Sequence, residues 1–202
     1  RARVPGLDVR SDRLDVPLAG GALDGTFAVA SDQLRPLLSR AAGLDADAAA
    51  DLTVRLGADG RGGQEVALSG ALTRVALPDG GPAVERIELD GTVANAFAVP
   101  DADLTVELLR AAAGPLDLER MTVTASGTPG DMDVSAEGEG RGQGTLDQPI
   151  TLSLTGNLGG DGPARVITLG EMRLAVGERT VELARTARLR LQGPEIAVQD
   201  LA

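Results

Sequence analysis

Residues 150–160 read ITLSLTGNLGG, residues 165–178 RVITLGEMRLAVGE, residues 179–193 RTVELARTARLRLQG and residues 194–202 PEIAVQDLA. Apolar side chains take every second position: Ile150, Leu152, Leu154; Met172, Leu174, Val176; Val181, Leu183; Leu189, Leu191; Ile196, Val198. Between them stand Thr151, Ser153, Arg173, Glu182, Arg190 and Ala197, polar or small. A period of two predicts strands with one apolar and one wet face. Gly or Pro punctuates each run, so the strands are short and consecutive. Between Leu169 and Met172 the alternation slips at Gly170. A continuous strand from Thr180 to Leu191 would also bring Arg185 onto the apolar parity, so a turn near Arg185–Thr186 is expected to split it.

The same texture extends towards the N-terminus. Leu14, Val16 and Leu18 alternate, then Leu23, Phe27 and Val29; Leu52, Val54 and Leu56 follow. Val66, Leu68 and Leu72 share one parity and Val75 and Leu77 the other, a step that flips the side chains unless a bulge restores the face. Ile87, Leu89, Gly91, Val93, Asn95, Phe97 and Val99 form a long odd-numbered run that Asn95 interrupts. Strands are expected again at 121–125 and 132–136, before a Gly-rich loop EGEGRGQGT at 137–145.

Two segments change period. In 31–43, Leu34, Leu37, Leu38 and Ala41 make a helical stripe, with Ser31 or Asp32 as cap, Pro36 in the first turn and Gly43 as stop. In 101–114, Leu104, Leu108 and Ala111 make a second stripe, capped by Asp101 or Asp103 and stopped by Gly114-Pro115. The expected fold is therefore mostly β: an elongated, predominantly antiparallel sheet with two short helices. A weak internal repeat divides it. LDGT recurs at 23–26 and 89–92, each followed by Phe-Ala-Val and then Ala-Ala-Gly, at an offset of about seventy residues. The expected units are 14–88, 89–149 and a third, strand-rich 150–202.

Composition narrows the function. The 202 residues carry a net charge of −11 and contain no Cys, His, Trp or Tyr. Every basic residue is Arg, as a GC-rich genome would produce, and Phe27 and Phe97 are the only aromatics. Nucleic acid rewards basic patches and stacking rings, so it is not an expected partner. Thiolate and imidazole metal sites, His-based triads, P-loops and Schiff bases all lack their essential residue. Gly138, Gly140, Gly142 and Gly144 alternate, which is not a dinucleotide fingerprint. Asp24 and Asp90 read as turn residues, and Asp131, Asp133, Glu137 and Glu139 as a solvated acidic stretch whose spacing matches no EF-hand. No enzyme activity, cofactor or metal is expected.

Charge is uneven. Residues 101–147 hold ten acids against three Arg, and 165–190 hold six Arg against three Glu. No run approaches the roughly eighteen apolar residues of a spanning helix, and no signal peptide is visible. The chain begins at Arg1 rather than Met, as an excerpt of a longer protein would.

What remains is the apolar face. Its members are Val66, Leu68, Ile87, Leu89, Val93, Phe97, Ile150, Leu152, Leu154, Met172, Leu174, Val176, Val181, Leu183, Leu189 and Leu191. A filled core of this size normally uses bulky aromatics, whereas this set is almost wholly aliphatic. It suits sliding acyl chains. The competing reading is a structural or adhesive β-solenoid or β-sandwich with a filled core.

The runs ITLSLTGNLGG and GEMRLAVGERTVELARTARLRLQGPEIAVQDL, with the insert SDQLRPLLSRAAGLDADAAADLTVRL, resemble the middle of the TamB family. These are the translocation and assembly module inner-membrane subunits of Gram-negative bacteria, grouped with AsmA-like, bridge-like lipid-transfer proteins. The resemblance covers essentially the whole chain and rests on texture rather than invariant residues. It implies a periplasmic protein anchored to the inner membrane by a segment not present here. It implies a sheet curled into a U-shaped groove that carries phospholipid between inner and outer membranes, or supports outer-membrane protein assembly. It also implies docking to the outer-membrane barrel partner TamA through regions outside these residues.

Overall fold

The computed structural model describes residues 2–4, 7–17, 21–35, 39, 45–78, 81–143, 147–160, 164–192 and 195–199. Fourteen strands form one sheet. In chain order they are β1 (Ala2–Val4), β2 (Leu7–Asp15), β3 (Asp24–Ser31), β4 (Asp47–Ala58), β5 (Gln64–Ala76), β6 (Ala83–Ala94) and β7 (Asp101–Ala113). They continue as β8 (Leu116–Thr128), β9 (Asp131–Gly142), β10 (Pro149–Gly159), β11 (Ala164–Val176), β12 (Arg179–Glu182), β13 (Ala187–Gln192) and β14 (Glu195–Gln199). Each strand pairs antiparallel with the next, except that β12 and β13 both pair with β11. The result is an open, curled meander. Among the described residues, strands pack substantially only against their hydrogen-bonded neighbours.

The alternation explains the pairing. An antiparallel register puts residues of one parity side by side, so each apolar position meets another across the ladder. Leu154 of β10 stands opposite Met172 of β11 and Ala136 of β9, while Thr155 stands opposite Ser135 and Glu171. The wet face is tied by short polar pairs. Thr124 Oγ1 and Ser135 Oγ lie 2.7 Å apart, Arg120 Nε is 2.7 Å from Glu107 Oε1, and Asn157 Nδ2 donates to Asp133 Oδ1 at 2.9 Å.

The parity slips are bulges. Thr155 pairs with Glu171 and the adjacent Gly156 with Leu169, which leaves Gly170 as the extra residue and keeps Ile167 and Leu169 on the face of Met172 and Leu174. On the other side of β11, β12 ends at Glu182 and β13 begins at Ala187, so the 180–191 run is interrupted where Arg185 would have broken the pattern. Both pieces continue along β11 with one additional residue, so the interruption is an irregularity within one strand path.

A larger slip crosses four strands in a line. The ladders of β5 to β8 skip Arg74, Glu85, Arg110 and Glu119, which lie opposite one another in turn. Arg74 and Arg110 adopt left-handed φ values of 56° and 51°. Register shifts against β4 and β9 show that this transverse row is one residue richer than its flanks. On all four strands the apolar sequence makes a three-residue step here: Leu72 to Val75, Val84 to Ile87, Leu108 to Ala111, Leu118 to Met121. The extra residues alternate in charge, and Arg110 forms a forked ion pair with Glu85 that lowers the Glu85 pKa.

This row corrects the second expected helix. Residues 101–113 are strand β7. Leu104 and Leu108 are four apart, a spacing shared by both periods, and the step to Ala111 is a bulge rather than a helical turn. The Gly-rich loop expected at 137–145 is also corrected, since β9 continues to Gly142. Gly138 and Gly140, on the same parity as Ala136, stand opposite Met121 and Leu118. Of the first expected helix, Arg35 and Ser39 have helical backbone; Leu37, Leu38 and Ala41 lie outside the described residues.

The glycines report where neighbouring strands come closest. Gly25, Gly70, Gly91, Gly127, Gly140 and Gly156 all sit on the apolar face. A Cβ at any of them would come closer than 3.0 Å to the adjacent strand, in each case to a backbone carbonyl such as that of Asp51, Asp103 or Asp117. On the wet face, Gly57 has nothing within 4 Å, and the nearest atoms to Gly159 are 3.4 Å away. Gly70→Ala, at φ 140°, should therefore destabilise the protein by about 2 kcal/mol or more, whereas Gly57→Ala should change stability by no more than about 0.5 kcal/mol. Urea unfolding of the two variants checks both.

Candidate functional site

The register assembles the apolar positions into rows running across the sheet. One row passes through Ala50, Leu72, Ile87, Leu108, Met121, Gly138, Leu152, Leu174 and Val181. The next passes through Val29, Leu52, Gly70, Leu89, Val106, Val123, Ala136, Leu154 and Met172. Further rows contain Leu68 with Val54 and Leu104, Val66 with Val93 and Leu56, and Ile150 with Val176. Five rows two residues apart make the face about 27 Å wide along the strands, and a dozen strands make it on the order of 60 Å long.

Nothing among the described residues covers this face. The buried apolar residues are eight alanines and Ile150, and no large side chain is under 2% exposed. Leu152, Leu154, Leu174, Leu89 and Val123 are each half-buried, shielded by side-chain neighbours within the sheet alone. A β-sandwich or closed solenoid of this length would bury such residues. The filled core of the competing reading is not observed.

Of the sixteen residues expected to line a groove, thirteen share the apolar face: Val66, Leu68, Ile87, Leu89, Val93, Ile150, Leu152, Leu154, Met172, Leu174, Val176, Val181 and Leu183. Val181 is the most open of them at 58%. Leu189 and Leu191 occupy register positions opposite Ile167 and Arg165. Phe97 stands apart from the rest. β6 ends at Ala94, Asn95 turns the chain at φ 50°, and Phe97 lies in the following turn, 78% exposed. The two LDGT copies also differ in setting, one opening β3 and one in the middle of β6.

Sequence reasoning missed a hollow of about 880 Å³ on the wet face. Its floor is small (Ala30, Ala49, Ser69, Ala71) and its rim is charged (Asp51, Arg86, Glu88, Asp90, Glu107). The available signal was the run of Ala and Ser on the wet parity of β3 to β5, where other strands carry Thr, Glu or Arg. The acids there sit beside Arg86 and Arg120, which pair with Glu88 and Glu107. Among the described residues, no three acids gather as a metal site.

A second polar feature braces one end of the sheet. Asp59 is 9% exposed, and its Oδ1 accepts the N–H groups of Arg61 (2.9 Å) and Gly63 (2.7 Å). These bonds, with a further one from the Asn95 N–H, hold its pKa below the usual carboxylate value. Beside it the Gln64 side chain, 6% exposed, takes the N–H of Leu23 at 2.6 Å and donates to the carbonyls of Leu23, Gly57 and Glu65.

Fold and face together define an open, curled antiparallel sheet with one apolar face that no described residue covers. Comparison with protein-family models, curated proteins and solved structures returns no match to this chain.

The Asp59 geometry fixes a pH response. A carboxyl whose folded pKa is depressed contributes stability that is present above its unfolded pKa and lost as pH falls through the folded value. The wild type should lose this contribution on acidification below about pH 4. Asp59→Asn should start less stable at neutral pH and show a shallower acid slope, as measured by denaturant midpoints between pH 2 and 7.

Proposed function

We propose that the apolar face is an acyl-chain surface and that the protein is a segment of a lipid-carrying groove. The observation that carries this reading is the continuous aliphatic face, five rows wide and without a covering layer among the described residues. A surface of this size left in water is unfavourable by about 25 cal/mol for each Å². An acyl chain relieves that cost while relieving its own, about 0.8 kcal/mol per CH₂. A two-tailed lipid faces a barrier on the order of 20 kcal/mol to cross water unaided, and a continuous trough removes most of it. The face, about 27 Å wide, exceeds the roughly 15 Å of one leaflet's hydrocarbon, so a tail fits along a strand with its headgroup at the open sheet end.

The near absence of aromatics supports a mobile occupant. Leu, Val, Ile and Met offer a low, even surface, whereas rings would make fixed anchors. Such a groove is passive, and direction comes from unequal lipid potential at its two ends. The resemblance of the strand texture to the TamB family points the same way. On that reading the segment lies in the periplasm of a protein anchored in the inner membrane. It carries phospholipid towards the outer membrane or supports protein assembly there, and its barrel partner TamA docks elsewhere on the chain.

Photo-crosslinking amino acids at Leu152, Leu174 and Leu183 should capture phospholipid, while the same probes at Ser153, Arg173 and Glu182 should not. Equal labelling of both sets would refute an acyl-chain face. Leu174→Asp should abolish capture at Leu152 with circular dichroism unchanged, because Leu174 is half-exposed and no core depends on it. Global unfolding of that variant would instead indicate a buried core.

A further inference from the structure

Phe97 lies at one end of the sheet, in the turn after β6, apart from the apolar rows. Phe97 and Val99 are 78% and 70% exposed, and Val16 and Leu14, at the same end, are 58% and 47% exposed. These are among the most exposed large apolar side chains described, and one of them is among only two aromatics in the chain. An exposed Phe costs little if its loop is loose and can fold it away. This turn is braced. Ala98 N–H donates to the Asn95 carbonyl at 2.8 Å, and Ala96 N–H to the Gln64 carbonyl at 2.9 Å. Asn95 is also tied to Asp59, and the Gln64 side chain binds Leu23, just before β3, on its other side. The same buried glutamine therefore fixes the turn that presents Phe97 and the segment that follows Val16.

The surroundings are acidic. Asp24, Glu65, Asp101 and Asp103 lie at this end, with Arg55 and Arg61 as the nearby cations, while Arg13 is taken up by Asp15. A rigidly presented aromatic inside an acidic rim has the anatomy of a protein-docking anchor. The rim disfavours an anionic lipid surface and favours a cationic one.

We propose that the Phe97 end is a docking surface for a basic, amphipathic polypeptide segment of a partner protein. Phe97 and Val99 enter the partner's apolar side, and Asp101 and Asp103 meet its cations. This does not rest on the lipid-groove reading.

The test uses the whole chain and a fluorescein-labelled synthetic peptide of alternating Leu and Arg residues, followed by fluorescence anisotropy at two salt concentrations. Phe97→Ala should weaken binding by about tenfold or more. Asp101→Asn with Asp103→Asn should weaken it and flatten its salt dependence. Leu174→Asp should leave it unchanged, which separates this site from the sheet face. The idea fails if Phe97→Ala binds as the wild type does, or if Leu174→Asp abolishes binding. It fails equally if the peptide does not bind while vesicles of phosphatidylglycerol do so through Phe97. Unchanged urea midpoints for the Phe97 and Asp101/Asp103 variants establish that the fold is intact.

Discussion

A single-layer sheet has nowhere to hide its apolar side, and that constraint governs the rest of the molecule. In a sandwich, the second layer relieves each strand of its exposed face. Here, relief comes only from neighbours on the same strand rows. Six glycines sit on the apolar side where a Cβ would strike the next strand's backbone, and they let those strands approach closely. They lower the intrinsic strand propensity of β3, β5, β6, β8, β9 and β10, and close packing of neighbouring strands is what they allow in return.

The bulges serve the same end. A strand of a dozen residues twists, and a slip of one residue would turn its whole apolar set outwards. Instead, the row Arg74, Glu85, Arg110 and Glu119 absorbs one extra residue on each of four adjacent strands, so the slips agree and the face continues beyond them. Bulges in register across neighbours increase local twist together rather than against one another. Alternating charge along the row favours that order, because each extra residue faces an opposite charge. Gly170 does the same on β11, beside the irregularity between β12 and β13.

How legible this was in sequence depended on how the period was broken. Where alternation ran clean, as in Ile150, Leu152 and Leu154, strand and face were both readable. The steps at Leu72–Val75 and Leu169–Met172 were readable as bulges because a strand pattern stood on both sides. In β7, the same three-residue step followed a four-residue interval and was flanked by Asp101 and Gly114-Pro115, so local cues for a helix outweighed the period. Only the neighbouring strands, which make the same step, remove the ambiguity, and pairing is not visible in one sequence. The glycines of 137–142 misled for a related reason. Gly on alternate positions reads as a loop, yet here it continues a strand, with Gly138 opposite Met121 and Gly140 opposite Leu118. The wet-face hollow and the Phe97 turn were illegible because both depend on which side chains lack a neighbour, a property of the assembled sheet.

The way such a sheet holds together also differs from that of a globular domain. Each strand gains its contacts from two neighbours and from nothing across a core, so stability resembles a sum of nearest-neighbour terms, as in solenoid repeats. Local pairing of this kind closes short loops and avoids the entropy of long-range contacts. It also means that the free energy per strand does not improve with distance from the edges, and interior strands are not protected by a common centre. A molecule built this way can be extended by adding strands without redesigning its middle. The uncovered apolar face lengthens in proportion, and so does the advantage of an apolar ligand lying along it. In this architecture the need to shield the apolar face grows with every strand added.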